Sequence, residues 1–468
     1  LVRRDLTVPN TGDPPPIVPA LAERYEVSDD GLVYTFYLRK GVKFHDGTPF
    51  NAQAVDFNLR RVWDPNFAYY YNIAQPLNVP RFGTLGDIKV INDYTIKLIL
   101  KQKNAYFLGQ LCEHTGQGLP VMMSPASIKK WGNDNMSSHP VGTGPFKFVN
   151  RKMGGELTLE RNSNYWDKRY PYVDRLIFIP LPEASTRINA LLANEVDIIS
   201  SVPADKVKTL TDAGFNVAMG PTPHLWWLYI NVREPAFEDV RVRRAVNMAI
   251  DKEGMANELL GGTALPAINL TSRTSPSWDK NWKDPYPYDP AKAKKLLEEA
   301  GYPNGFDTIF QTSTAGSGQL LPVEMAQWIQ KDLAKVGIRV KLDTYEWNAY
   351  MDVWLKGAAP GVGFMQLSSG TNLDSLLDLI LRSDNRSMCN TGHVEDSEID
   401  ALLDQSYLAR NDNEFHSIIR KITEIEREKA YMIPIINDKA PFGLSKKVKG
   451  FVRAAEWCEA YYNIWLEK

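Results

Sequence analysis

Few residues of this chain stand in patterns that break or make bonds. A serine hydrolase sets its nucleophile on a Gly-x-Ser-x-Gly elbow, and the nearest stretch, "AGSGQ" at Ala315 to Gln319, misses that pattern. Neither Gly-x-x-x-x-Gly-Lys-Ser/Thr nor Gly-x-Gly-x-x-Gly occurs, so no nucleotide motif is supported. "VGTGPF" is rich in glycine but precedes a strand, whereas a phosphate loop must precede a helix. The six histidines never fall at i, i+4 on a predicted helix, and the three cysteines form no Cys-x-x-Cys pair, so no metal site is signalled. Acid pairs such as Asp29-Asp30 and Glu298-Glu299 read as a turn and a polar helix face. No cofactor is implied.

Aromatic side chains stand out instead, with 12 Trp and 21 Tyr. Trp226 and Trp227 are neighbours on a predicted strand and must point to opposite faces. Trp347 and Tyr350 are expected to close another strand, and "EWCEAYYNIW" crowds Trp457, Tyr461, Tyr462 and Trp465 together. Most such rings pack cores. Those at strand ends beside a domain crossing are also where a cleft ligand is stacked.

The elements that would position these groups are well punctuated. Tyr34, Phe36 and Leu38 alternate with polar or partly polar neighbours along a strand, a turn follows at His45-Asp46-Gly47, and Asn51 caps a helix with Val55, Leu59 and Val62 on one face. "DIKVINDYTIKLIL" predicts a hairpin about Asn92-Asp93. Pro140, Gly142, Gly144 and Pro145 mark a first domain crossing, and the prolines around "LWWLYINV" mark a second. "DRLIFIPL" reads as a buried strand. Val242, Ala245, Val246, Ala249 and Ile250 give a helix an inner face, and Asp289, Pro290 and Gly301 start and stop the next. "TIFQTS", a helix through Met325, Ile329 and Leu333, and "IRVKL" form a βαβ unit, so the second half is expected to be α/β.

At 468 residues, 44% hydrophobic, 24% charged and net charge −2, the chain has the profile of a globular protein of two or three domains. No dense basic face invites nucleic acid, and no apolar run reaches the ~18–20 residues that span a bilayer.

"LAERYEVSDDGLVYTFYLRKGVKFHDGTPFNAQAVDFNLRRV" resembles the hallmark segment of the family 5 solute-binding proteins of ABC importers, which include dipeptide-, oligopeptide- and nickel-binding proteins. "PVGTGPFKFV", "WLYINVREPAFEDVRVRRAVNMAIDKEGM", "DPAKAKKLLEEAGYPNGF" and "KVGIRVKLDTYEWNAYMDVWLKG" match in the same order. The resemblance implies an α/β, periplasmic-binding-protein-like two-lobed fold of type II, cluster C, with an extra α+β domain in the first half. It places that domain at 5–139, lobe one at 140–224 plus 440–468, and lobe two at 225–439. Members carry a further stretch ahead of where this chain begins, holding the signal or anchor and the first strand of lobe one, so the resemblance implies that this stretch is missing here.

It further implies a non-catalytic, monomeric protein, periplasmic or extracellular and in some members lipid-anchored, that hands a solute to membrane permease subunits. Dipeptide-binding members have a Trp-x-Gly-Asp loop and an arginine that pair the two ends of the ligand. Here, in "VGFMQLSSGTNLDSLLD", of the motif's acids only Asp374 survives near the matching place, and "GQLLPVEMAQWIQKDL" has no arginine. Two lost charge-assisted pairs at ~1.5–3 kcal/mol each disfavour a free dipeptide. The candidate ligand residues are His224, Trp226, Trp227, Trp347, Met365, Gln366, Ser368, Asn372, Asp374 and Arg386. Their polarity suits a peptide-like solute, with an oligosaccharide, a sugar conjugate or a metal chelate as the alternative. A glycoside-active or other hydrolytic enzyme is the rival of another class.

Overall fold

The computed structural model describes the chain except residues 72–81, 105, 113–120, 317–319, 371–372, 386–388 and 468. The expected site residues Asn372 and Arg386 therefore lie outside the described residues.

The double-tryptophan strand, Leu225–Ile230, is central in a six-stranded mixed sheet. The order is Ala264–Pro266, Met432–Asp438, Leu225–Ile230, Val362–Ser369, Asp307–Ser313, Arg339–Tyr345. Every residue of the central strand is buried, because helices cover both faces of the sheet, which explains its unbroken apolar run. Trp226, Leu228 and Ile230 pack against helices Val240–Ala249, Pro290–Glu299 and Pro322–Lys335. Leu225, Trp227 and Tyr229 pack on the opposite side with Trp347–Trp354, Leu377–Leu381, Ser397–Tyr407 and Asp412–Lys429. The two adjacent tryptophans thus point to opposite faces, as the period of two requires. The βαβ unit forms as expected, with Asp307–Ser313 and Arg339–Tyr345 paired in parallel. Asp289 Oδ1 accepts the Lys292 N–H at the start of its helix, and Gly301 takes a left-handed φ of 92° at its end.

The other lobe has a three-stranded sheet in which Phe442–Leu444 lies between Ile198–Ile199 and Asn216–Ala218. Helices Ala184–Leu192 and Ala204–Asp212 close its core around Leu191, Ile199 and Leu210. A second sheet joins Phe146–Arg151, Leu157–Arg161 and Arg175–Phe178. The expectation of a buried strand at "DRLIFIPL" is corrected here, since Ile177 and Phe178 on this edge strand are exposed. Apolar content alone does not say whether a second layer covers a strand.

Residues Ala22–Val27, Val33–Leu38, Thr95–Leu100 and Leu85–Asn92 make a four-stranded antiparallel sheet, with Tyr34, Phe36 and Leu38 inward against helix Ala52–Trp63. The His45 turn ties this N-terminal unit to the "VGTGPF" loop. Gly142 N–H donates to His45 Nδ1 at 3.3 Å, so Nε2 carries the proton and donates to the Gly144 carbonyl at 3.0 Å. Burial pushes the imidazole pKa down, against the opposing pull of the Gly144 carbonyl. Stability from a His with a depressed folded pKa is complete above its ordinary value and is lost as pH falls through the folded one. The stability gap between wild type and His45→Gln is therefore expected to shrink from about pH 7.5 to about pH 5.5. Urea midpoints of both proteins at both pH values check this, and an equal gap at the two would refute it.

Among the described residues, no helix is long and apolar enough to cross a membrane. Cys112 is buried, and Cys389 and Cys458 are half-buried.

Candidate solute site at the lobe crossing

The parallel strands Asp307–Ser313, Arg339–Tyr345 and Val362–Ser369 end together, beside the start of the antiparallel central strand and the end of Met432–Asp438. In open α/β sheets this carboxyl edge is where ligands bind. Both chain crossings to the other lobe also leave from it. Residues 219–224 and 438–442 run side by side there, with Asp438 N–H donating to the His224 carbonyl at 3.0 Å and Thr222 Oγ1 to the Asp438 carbonyl at 2.8 Å.

His224 and Asp438 form the buried centre of this crossing. His224 Nδ1 lies 3.2 Å from Asp438 Oδ2, and both side chains are at most 4% exposed. A carboxylate only accepts, so Nδ1 carries the proton, and in the neutral imidazole Nε2 is then an acceptor. Nε2 is buried without a partner among the described residues. The other carboxylate oxygen takes the N–H of Ala440, whose φ of 40° is left-handed without being glycine.

Trp457 reaches this point from the opposite lobe. Its ring lies 4.7 Å from the His224 ring and over Gly370, where a Cβ would collide with the indole. Glycine is thus required by the close approach of the two lobes. At Gly261 a Cβ would come within 2.8 Å of Ala204, a second approach between them.

The expected site residues separate by position. Trp226 and Trp227 are enclosed by the two cores, and Met365 is fully buried beside Trp227. Gln366 is also fully buried: its Oε1 accepts from Thr312 Oγ1 at 3.1 Å and its carbonyl accepts from the Tyr350 hydroxyl. These four leave no surface for a solute, because they lie within strands covered on both faces. Trp347 and Tyr350 stand on helix Trp347–Trp354, correcting the expectation that they close a strand. Glu346 caps that helix by accepting the Asn348 and Ala349 N–H groups. Trp347 is half-buried at the carboxyl edge and lies against Gly316. Ser368 is half-buried where its strand ends.

Asp374 follows that strand end. Its Oδ2 accepts from Ser275 Oγ at 2.5 Å and lies 3.7 Å from His416 Nδ1, which in turn meets Ser277 Oγ at 2.9 Å. Its Oδ1 is buried without a partner among the described residues. On the neighbouring strand the Gln311 amide donates to the Tyr345 hydroxyl at 3.1 Å, while Gln311 Oε1 and Ser313 Oγ are buried without partners among the described residues. The carboxyl edge therefore holds a set of unused acceptors. Among the described residues, no group of three His, Cys, Asp or Glu side chains could hold a metal ion.

Sequence reasoning did not place Trp457, Gly370 or Asp438 at this site. The crowd of aromatics around Trp457 was visible, but nothing in its spacing says that it meets a glycine on the other lobe.

A family model described as bacterial extracellular solute-binding proteins, family 5, middle region, matches residues 16–387. Heme-binding protein A of Haemophilus influenzae is 34% identical over 470 residues, covering 96% of this chain and 84% of that protein. Glutathione-binding protein GsiB of Shigella dysenteriae is 31% identical over 448 residues, with 92% and 82% covered. The ABC transporter-associated periplasmic binding protein DppA from Helicobacter pylori, solved in complex with the peptide STSA, superposes with a TM-score of 0.83 at 28% identity, covering 100% of this chain and 92% of that one. These relatives are named for what they bind and not for a reaction. The two lobes, the site at their crossing and the match over most of the chain lead to one assignment: this protein belongs to family 5 of the bacterial extracellular solute-binding proteins, the solute-capturing components of ABC importers.

Proposed function

We propose that this protein captures a peptide-like solute between its lobes, without turning it over, and presents it to membrane permease subunits outside the cytoplasmic membrane. The observation that carries the reading is the set of acceptors at the carboxyl edge that have no partner among the described residues, His224 Nε2, Gln311 Oε1 and Asp374 Oδ1. Amide and amino N–H groups of a peptide complement acceptors, and each such bond made on closure removes the cost of a buried unpaired group. Trp347 and Trp457 supply apolar faces from the two lobes, and Ser368 adds a hydroxyl at the strand end. The division into an extra domain at 5–139, lobe one at 140–224 plus 440–468 and lobe two at 225–439 accompanies this reading, because the crossings then fall on the site. An oligosaccharide or sugar conjugate would offer O–H groups to the same acceptors and is the second reading.

A thermal-shift screen tests the choice, with short peptides, glutathione, oligosaccharides, opine-like sugar conjugates, haem and nickel with histidine as probes. A peptide or glutathione at a hundredfold excess over its dissociation constant is expected to stabilise the protein by about 2.7 kcal/mol. Trp457→Ala should remove most of that shift while leaving the unliganded protein folded. Stabilisation by the sugars alone would overturn the peptide reading, and turnover of any probe would overturn the binding role.

A further inference from the structure

The N-terminal unit also touches the six-stranded lobe directly. Tyr106 stacks on Phe415 with ring centroids 5.4 Å apart and planes only 16° from parallel. Tyr106 directly precedes Phe107, which lies in the core of the unit built around helix Ala52–Trp63, yet its own ring packs against the core of the six-stranded lobe, where Phe415 lies in the first turns of Asp412–Lys429. His416, in the first turns of that helix, lies 3.7 Å from Asp374, so the helix's N-terminal end lies toward the carboxyl edge where the site is.

Both rings are held in place from behind. Asn104 is buried: its Nδ2 donates to Gln110 Oε1 at 2.9 Å and Thr84 Oγ1 at 3.2 Å, and its Oδ1 accepts the Tyr106 N–H at 3.1 Å. Its carbonyl accepts the Tyr34 hydroxyl at 3.3 Å. The Tyr106 ring lies on Gly109, where a Cβ would come within 2.8 Å of it. On the other side, Phe415 is buried, and its neighbour His416 has its ring 5.3 Å away. Charges flank the contact. Arg410, hydrogen-bonded to Glu414, and more weakly Lys103 of the N-terminal unit hold the Glu414 carboxyl below its usual range.

We infer that Tyr106 and Phe415 form a clasp by which the N-terminal unit holds the lobes closed, and that His416, beside Phe415 and 3.7 Å from Asp374, makes Tyr106 a positioning residue for the solute site. Closure of this kind is a rigid-body movement about the two crossing segments. A contact that joins the N-terminal unit to the six-stranded lobe must break when the two swing apart. The link to Asp374 rests on the solute-site reading above, whereas the clasp itself does not.

The test compares Tyr106→Ala, Phe415→Ala, the double variant and the conservative Tyr106→Phe, all solute-free. Small-angle scattering reads closure, and ¹⁵N signals of the six imidazoles, assigned with His416→Gln, read the coupling. An aromatic stack implies an about two- to tenfold change in the open-to-closed ratio. The three disruptive variants should therefore show the same larger radius of gyration, the double no larger than either single, with Tyr106→Phe unchanged. The His416 signal should move in Tyr106→Ala. Tyr106→Leu, which keeps apolar volume but not the stack, replaces Tyr106→Ala if that variant does not fold. An unchanged radius, or additive increases in the double variant, would overturn the clasp, and a stationary His416 signal would overturn the coupling. None of these readouts needs a solute, so they stand apart from the outcome of the probe screen.

Discussion

Trp226→Ala is expected to lower the stability of the six-stranded lobe by about 3–5 kcal/mol, the range for emptying a fully enclosed aromatic position. The indole has no exposed surface, sits opposite Ile436 of the neighbouring strand and belongs to the core under the helices on that face of the sheet. Neighbouring strands fix the backbone on both sides, so the cavity cannot collapse. Urea unfolding followed through amide exchange of the six-stranded sheet gives the number, since a protein with several cores need not unfold as one unit. Trp347→Ala is the control. That ring sits half-buried on a helix at the sheet edge, so its loss should cost less stability and more solute affinity. If Trp226→Ala weakened solute binding at unchanged stability, the enclosed position described for Trp226 would be wrong.

Asp438→Ala is the second large effect, about 2–5 kcal/mol, because it leaves one buried and one part-buried donor without an acceptor, at ~1–3 kcal/mol for a fully buried one. These are His224 Nδ1–H and the N–H of Ala440. Ala440 adds a further demand, since its left-handed backbone is held by that hydrogen bond and by Arg453 donating to its carbonyl at 3.1 Å. Asp438→Asn keeps an oxygen for Ala440 and should recover part of the loss. Equilibrium unfolding of the three proteins decides it, and an Asp438→Ala variant within about 0.5 kcal/mol of wild type would show that the crossing does not depend on the carboxylate.

Local features of this fold were legible in the sequence, and long-range ones were not. Asn51, Asp289 and Pro290 marked helix starts because a cap is decided by neighbours within a few residues. The inward side of Val33–Leu38 followed from alternation alone. Strand period also put Trp226 and Trp227 on opposite faces. It could not say that both faces are covered, because the covering helices come from widely separated parts of the chain. For that reason the strand interior, with Met365 and Gln366, was indistinguishable from the strand edge, where Ser368 stands. Trp347 fell on a helix because Glu346 stops the strand by capping the next turn. His45, which looked like part of a turn, binds a loop almost a hundred residues away, and His224 and Asp438 meet across a still longer stretch.

The strand Phe442–Leu444 lies in the middle of its sheet, yet both partners are made more than two hundred residues before it. A ribosome therefore releases Ile198–Ile199 and Asn216–Ala218 long before the segment that pairs with them both. Until then the helices around Leu191 and Leu210 have no sheet to rest on, and two strand edges stay open to mispairing. Contacts of such sequence separation fold slowly, since chain closure must be achieved before they yield any stabilisation. The six-stranded sheet has the same dependence, because Met432–Asp438 is inserted beside the central strand. Neither lobe can finish until residues 432–444 are made, whereas the N-terminal sheet, whose four strands all lie before residue 101, can form early.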